Sequence, residues 1–513
     1  MIIRKTAWLH VPLWLFVSLC AQGREPAQNS LGTLSELRQR LTAVVSQPKY
    51  DAALWGVKVV SLNTGKTLFE DNARKLFSPA SNCKLYTVAL ALERLGPDYR
   101  IKTSLYSSAR PDAAGVLNGD LIVYGRGDPT INARLHGGNI FQALQPLVAA
   151  LTKAGVKEIK GDLVGDASFI RGPEYGSGWS WDDAEYYYGA EVSALTVNDN
   201  ILQFSAKPGR GVGVPCSLGV EPIPGYITFV NQTTTVAQRQ RRYITFYRPL
   251  SGNVVYVSGQ MPLGGSAYTD DVTVHNPAGL FILLLRDALE RQGIHVEGRL
   301  RTVNRLERQA SPLNSHPLIE LGSIESPPVR DLARLIEKPS QNLYDDLLLA
   351  QVGERSRTPD TPPNLTSEEL GIRALDQFLP EAGIRRGDVF FEEGSGLSRN
   401  NLATPAATVA LLQFMSRTPN AKAYFDALPI AGVDGTLRYR MKGTPAEDNV
   451  HAKTGSLRWA VSLSGYVTSA AGEHLAFSIM LNRYHNTDPN RSVRTDLDKI
   501  AELLADFTGH TSK

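Results

Sequence analysis

The apolar positions fall into three blocks of different texture. Leu34 to Val45 carries Leu37, Leu41 and Val44 at helical spacing on a polar background. Residues 55–60 and 66–69 are apolar-rich strands around Asn63-Thr64-Gly65, a pattern that predicts a hairpin. A buried helix is expected next, from Leu85, Val88, Ala89, Leu92 and Leu95, ended by Gly96-Pro97. From Tyr99 to about Leu300, short strand-like runs alternate with Gly and Asp turns, for example 119–125, 156–165, 242–247 and 253–257. Helical spacing interrupts this block only at 141–154 and 277–292. The last block predicts helices over 329–336, 342–354, 367–378 and 404–415, then strands over 461–467 and 474–482. A final amphipathic helix presents Leu497, Ile500, Ala501, Leu504 and Phe507. The order implies an α/β (α+β) fold: a sheet flanked by helices with a helical half, interrupted by a β-rich insertion.

Composition narrows this little. The chain has 513 residues, long enough for two to four domains, with 42% hydrophobic and 20% charged residues. A net charge of +3 is too small and dispersed to point to nucleic acid. The N-terminus is more informative: Arg4-Lys5 precede an apolar run at 7–19 and the small residues of Cys20-Ala21-Gln22-Gly23. That layout predicts a secretory signal peptide over 1–23 and an exported, periplasmic protein, with a lipid anchor on Cys20 as the lesser alternative. No other stretch is apolar over the length of a membrane span. Cys83 and Cys216 remain, enough for one disulfide, and spacing does not say whether they pair. No Cys/His cluster has metal-ligand spacing, so no metal or cofactor is expected.

Ser78-Pro79-Ala80-Ser81-Asn82-Cys83-Lys84 opens the buried helix. Ser78 is expected to cap it and Pro79 to occupy its first position, placing Ser81 and Lys84 on one face. A hydroxyl beside an amine at a helix start is a candidate activated nucleophile. The pattern alone is weak, since Ser-x-x-Lys arises by chance roughly twice in such a chain. Ser46-Gln47-Pro48-Lys49 is a second match, a decoy without an apolar helix behind it. Two other elements strengthen the first. Lys453-Thr454-Gly455-Ser456, the only Lys-Thr-Gly, ends a strand-like run, where a lysine and two hydroxyls can hold a carboxylate and Gly455 permits close backbone approach. Ser340-Gln341-Asn342 is the one Ser-x-Asn of four that lies between two helical segments.

In this order, Ser-x-x-Lys, Ser-x-Asn and Lys-Thr-Gly resemble the penicillin-binding proteins and serine β-lactamases. About half the chain lies between Ser81 and Ser340, and that long insertion resembles the low-molecular-mass class C penicillin-binding proteins. Residues 125–130, 161–166, 394–399 and 428–437 are also similar to that family. The resemblance implies an exported D-alanyl-D-alanine carboxypeptidase/endopeptidase of peptidoglycan stem peptides, inhibited by β-lactams. A β-lactamase, or an idle wall-binding scaffold, are the alternatives. It implies a discontinuous catalytic domain (24–98 and 300–513), an accessory domain (99–115 and 192–299) and a second one nested in it (116–191). Ser81 would be the nucleophile and Lys84 its base, provided that burial and the charge of Lys453 ease its deprotonation. Ser340 would relay a proton, and Asn342 would fix Lys84 and the substrate amide. The N–H groups of Ser81 and Ser456 would form the oxyanion hole, and Lys453, Thr454, Gly455 and Ser456 the carboxylate site. Asp183, Tyr188 and Arg399 match a pocket for the diamino acid of the stem. Arg458 stands where some members carry Gln.

Overall fold

The computed structural model describes residues 31–310, 317–486 and 491–511. The expected signal peptide and Cys20 lie outside them. The N- and C-terminal blocks meet in one antiparallel five-stranded sheet, ordered His451–Leu457, Ala460–Thr468, His474–Asn482, Leu54–Ser61, Thr67–Asp71. Its central strands read as nearly continuous apolar runs because both faces are covered. Against one face pack Leu34–Val45 and Arg494–Ala505, closing a core around Leu37, Leu41, Ile479, Ile500 and Leu504. Against the other packs Pro405–Met415 and, beyond it, a helical half. That half consists of Lys84–Arg94, Val329–Glu337, Asn342–Ser356, Ser367–Glu381 and Ala421–Ala427. Among the described residues no helix is long and apolar enough to cross a membrane.

The insertion pairs its strands differently from the expected division. Leu300–Val303, Leu163–Asp166, Leu121–Tyr124, Lys102–Ser107 and Ile319–Glu325 form one mixed sheet, in that order, backed by Ile140–Lys153 and Pro277–Arg291. The expected cut at 115/116 therefore falls between two strands of one sheet, Lys102–Ser107 and Leu121–Tyr124. The expected return to the catalytic part at 300 also falls inside it. The Gly/Asp turns at 118–120 and 161–162 lead from the short strands Val116–Leu117 and Glu158–Ile159, which pair in a separate three-stranded sheet, into this one; such turns look the same in sequence whether they close a hairpin or a domain. The strands between Ile201 and Thr273 pair only with one another among the described residues, in two three-stranded sheets. One of these holds a parallel pair, Thr228–Val236 with Val254–Pro262. Cys83 and Cys216 are both buried and free.

Candidate active site

Ser81 does not sit in the α-helix proper. Ala80–Cys83 forms one 3₁₀ turn, and the α-helix begins at Lys84. Ser78 does not cap it: its hydroxyl is buried without a partner, and its backbone is clamped on both sides by the Asn482 amide. Three more bonds tie the turn to the sheet. Ser462 donates to Pro79 O at 2.7 Å, Asn82 donates to Lys453 O at 2.9 Å, and Ser464 donates to the Asn82 amide oxygen at 2.9 Å. The sheet, more than helix capping, thus positions Ser81. Ala80, immediately before it, has φ +48°, a conformation side chains other than glycine rarely adopt and one that clusters at functional sites.

The three sequence elements converge here. Lys84 is fully buried, with Nζ 3.2 Å from Ser81 Oγ. Two acceptors flank that amine, Asn342 Oδ1 at 2.6 Å and Ser395 O at 2.5 Å. Donation to those two oxygens fixes the amine beside the serine hydroxyl. Asn342 starts its helix, and its amide nitrogen donates to Tyr188 O at 2.9 Å. Ser340 lies in the bend before it with φ +66° and accepts from Lys453 Nζ at 2.7 Å. Lys453 is fully buried on the edge strand His451–Leu457 and also donates to Thr454 O. Burial lowers its ammonium to about 7, with Lys84 pushing the same way and Glu337 and Asp345 opposing.

Above the two lysines is an open cavity of about 640 Å³. Ser81, Ser340, Asn342, Thr454, Gly455 and Ser456 form one side; Asp183, Tyr188, Arg399 and Arg458 also line it. Arg399 donates to Asp183 at 3.0 Å, joining the catalytic part to the insertion. Burial and the neighbouring Asp183 push the Tyr188 phenol up to about 12, so it stays a neutral donor. The Ser46/Lys49 match is structural: Ser46 donates back to Thr42 O at 2.8 Å and Lys49 pairs with Asp496 at 2.6 Å.

Some participants carry no signal of their own in the sequence. Ser395 contributes a carbonyl, which any residue has; only its place in the 394–399 stretch pointed to it. Arg494 donates to Ser456 Oγ at 3.0 Å, and Thr436 accepts from Thr454 Oγ1 at 2.8 Å. Arg494 reaches the site through tertiary packing alone, whereas Thr436 lies in the 428–437 stretch.

Gly455 is required by the approach of the edge strand to the turn that carries Ser81. A Cβ there would stand 2.6 Å from Pro79 O and 3.1 Å from Ala80 Cβ, and would strike Ser462 Oγ. The main-chain atoms cannot yield without moving Ser81. Gly455→Ala is expected to slow acylation by a fluorescent penicillin about 100-fold, the usual cost of a ~1 Å misplacement of reacting groups. Timed gel labelling checks this, and a rate within threefold of the native one would show that the approach is not needed.

Residues 37–504 match the D-Ala-D-Ala carboxypeptidase 3 (S13) family. The chain belongs to that family. It is 32% identical over 520 residues to the D-alanyl-D-alanine carboxypeptidase of Actinomadura sp. (strain R39), covering 99% of this chain and 91% of that one. It is 28% identical to the D-alanyl-D-alanine carboxypeptidase DacB of Haemophilus influenzae, over 83% of this chain and 85% of the relative. The crystal structure of penicillin binding protein 4 from H. influenzae superposes with a TM-score of 0.77 at 26% identity, covering 92% of this chain and 99% of that one. As an S13 member the chain is a serine-type D-alanyl-D-alanine carboxypeptidase, with the penicillin-binding fold expected from its motifs.

Proposed function

We propose that this S13 carboxypeptidase is exported to the periplasm and removes the terminal D-Ala of peptidoglycan stem peptides through an acyl-enzyme on Ser81. The same nucleophile cleaves D-Ala-linked cross-bridges as a DD-endopeptidase. The observation that carries the reading is the Lys84 amine, held by Asn342 and Ser395 and directed at Ser81. The Ser81 proton passes to Lys84 as Oγ attacks the carbonyl carbon of the penultimate D-Ala. The N–H groups of Ser81 and Ser456 receive the developing oxyanion. The C–N bond breaks as the proton taken by Lys84 is relayed through Ser340 to the departing D-Ala amine, which leaves Lys84 neutral again and Ser340 a hydroxyl. Water then attacks the Ser81 ester, Lys84 taking its proton and returning it to Ser81 Oγ as the ester C–O bond breaks and the shortened stem is freed.

Lys453, Thr454 and Ser456 hold the terminal carboxylate, and Gly455 keeps their strand close to the serine. Asp183, Tyr188 and Arg399 receive the diamino acid of the stem, and Arg458 adds a positive charge at the same rim. β-Lactams acylate Ser81 because they present a strained amide and a carboxylate to the same groups. A solved penicillin binding protein 4 from H. influenzae is complexed with a β-lactam, which supports this. The N-terminal signal pattern supports export.

Two measurements on the native protein test the reading. Incubation with uncross-linked pentapeptide muropeptides is expected to release free D-Ala, and cross-linked dimers are expected to yield monomers. After exposure to benzylpenicillin, mass spectrometry of a digest is expected to place the adduct on the peptide containing Ser81. No D-Ala release and no adduct would sink the proposal; D-Ala release without dimer cleavage would remove only the endopeptidase part.

A further inference from the structure

The edge strand His451–Leu457 brings Lys453, Thr454 and Ser456 to the carboxylate site, and their protons are not equally free. Lys453 is fully buried, with Nζ already donating to Ser340 and to Thr454 O. Thr454 Oγ1 donates to Thr436 at 2.8 Å, so its one proton is spent. Ser456 is exposed on the cavity wall, and its hydroxyl accepts from Arg494 Nη2 at 3.0 Å. A hydroxyl has one proton and two acceptor positions, and a guanidinium can only donate. The Arg494 bond therefore fills an acceptor position on Ser456 and leaves its proton, which no described residue accepts, for a ligand in the cavity. Arg494 is itself exposed and lines that cavity as the first residue of the helix Arg494–Ala505. A cation at that end opposes the helix macrodipole, so helix stability does not account for it. Nor do the acids of its own helix: Asp496 is bonded to Lys49, Tyr50 and Arg491, and Asp498 to Arg440. Arg440 on the same wall is thus neutralised, whereas Arg494 has no carboxylate partner among the described residues.

We propose that Arg494 is a positioning residue for carboxylate recognition: it turns the Ser456 hydroxyl proton into the cavity and strengthens the bond that this proton makes to the substrate carboxylate. The proposal rests on the reading of the Lys453, Thr454 and Ser456 strand as the carboxylate site. A carboxylate only accepts, so the chain from the Arg494 N–H through the Ser456 hydroxyl to the substrate oxygen runs in one direction, each bond polarising the next. No proton changes owner. The gain is selective, because a hydrogen bond to an ionised acceptor is about twice as strong as one to a neutral acceptor. An ester or amide at the same position forfeits it.

The test compares acylation by benzylpenicillin with acylation by its methyl ester, which carries no carboxylate, followed by mass spectrometry of the whole protein. The native protein is expected to prefer the acid. Arg494→Ala is expected to slow acylation by the acid about tenfold, the size of one charge-assisted hydrogen bond, and to leave the ester rate within about threefold. The ester rate also reports that the site of the variant is folded. Arg494→Lys, which keeps a charged donor, is expected to recover part of the loss. In a Ser456→Ala protein the relay lacks its middle member, and adding Arg494→Ala is expected to cost less than about threefold more. A native protein that does not distinguish acid from ester overturns the carboxylate-site reading, and the proposal with it. A native preference that Arg494→Ala leaves unchanged, or a loss equal for acid and ester, overturns the proposal alone. A full tenfold loss on adding Arg494→Ala to Ser456→Ala overturns it too, because Arg494 would then act without Ser456. If Arg494→Ala does not fold, Arg494→Lys is compared with Arg494→Gln, a charged donor with a neutral one. A weaker acid preference in the Gln variant supports the proposal, and an equal one overturns it.

Discussion

Ser81→Ala is expected to abolish covalent labelling by penicillin and to lower D-Ala release by at least about 10⁴-fold, while Ser46→Ala changes neither. The labelling loss is absolute in principle, because in the proposed mechanism the bond that holds the label is an ester to the Ser81 oxygen. The turnover loss is bounded by what the rest of the site still does. Donors and a carboxylate site left in place orient a substrate without a nucleophile, and removing nucleophiles elsewhere leaves a small residual rate of that origin. Folding is not expected to suffer. The turn around Ser81 is held by Asn482, Ser462, Asn82 and Ser464, none of which uses the Ser81 hydroxyl. Ser46 is the matched control: it has the same motif spacing, but its lysine is committed to Asp496. Gel labelling and an amino-acid assay for D-Ala read both variants. Labelling that survives Ser81→Ala and disappears in Ser46→Ala would reverse the assignment.

The contrast between these two serines shows what the sequence could carry. Spacing places a lysine near a serine in both; it does not say what the lysine faces. For Ser81 the deciding information was non-local, Asn342 and Lys453 arriving from far along the chain, and the order of the three elements stood in for that geometry. The long antiparallel strands and the amphipathic helices were legible for the ordinary reason that their period matches their burial. The 461–467 and 474–482 runs became the centre of the sheet, and Lys453-Thr454-Gly455 fell on its edge strand as expected.

What was misread is equally specific. Ser78-Pro79 has the composition of a helix start, yet the sheet binds that backbone and forces Ala80 to positive φ, so the α-helix begins later, at Lys84. No local propensity scale anticipates a turn made by contacts from strands hundreds of residues away. The strand pairing of the insertion was not legible because Leu121–Tyr124 and Leu163–Asp166 pair with strands as distant in sequence as Lys102–Ser107 and Leu300–Val303. The short helix Ala421–Ala427 left too few turns to show a period. Glu and Asp are normally exposed, so nothing in the sequence marks Glu337, at the end of one helix, and Asp345, in the next, as the fully buried carboxylates they are.

Lys84→Met is expected to slow acylation of Ser81 about 10³- to 10⁴-fold, near the upper range for loss of a general base. Methionine has about the length of the lysine stem and fits the closed slot, so the change removes the amine with little change of packing. Asn342 Oδ1 and Ser395 O each lose a donor, at a cost of about 1–3 kcal/mol each, partly offset because a buried polar amine goes with them. The melting temperature should therefore fall by several degrees without loss of the folded state. Lys84→Arg separates the two possible uses of this residue. If Lys84 served only as a fixed positive charge bridging Asn342 and Ser395, arginine would keep much of the rate. If it takes the Ser81 proton, arginine fails as badly as methionine, because a guanidinium does not give up its own proton to become a base. Lys453 cannot substitute, since its Nζ is spent on Ser340 and Thr454 O. Rapid-mixing labelling with a fluorescent penicillin measures both variants. A Lys84→Met rate within tenfold of the native one would remove Lys84 as the base and leave Ser340, bonded to Lys453, as the group next in position.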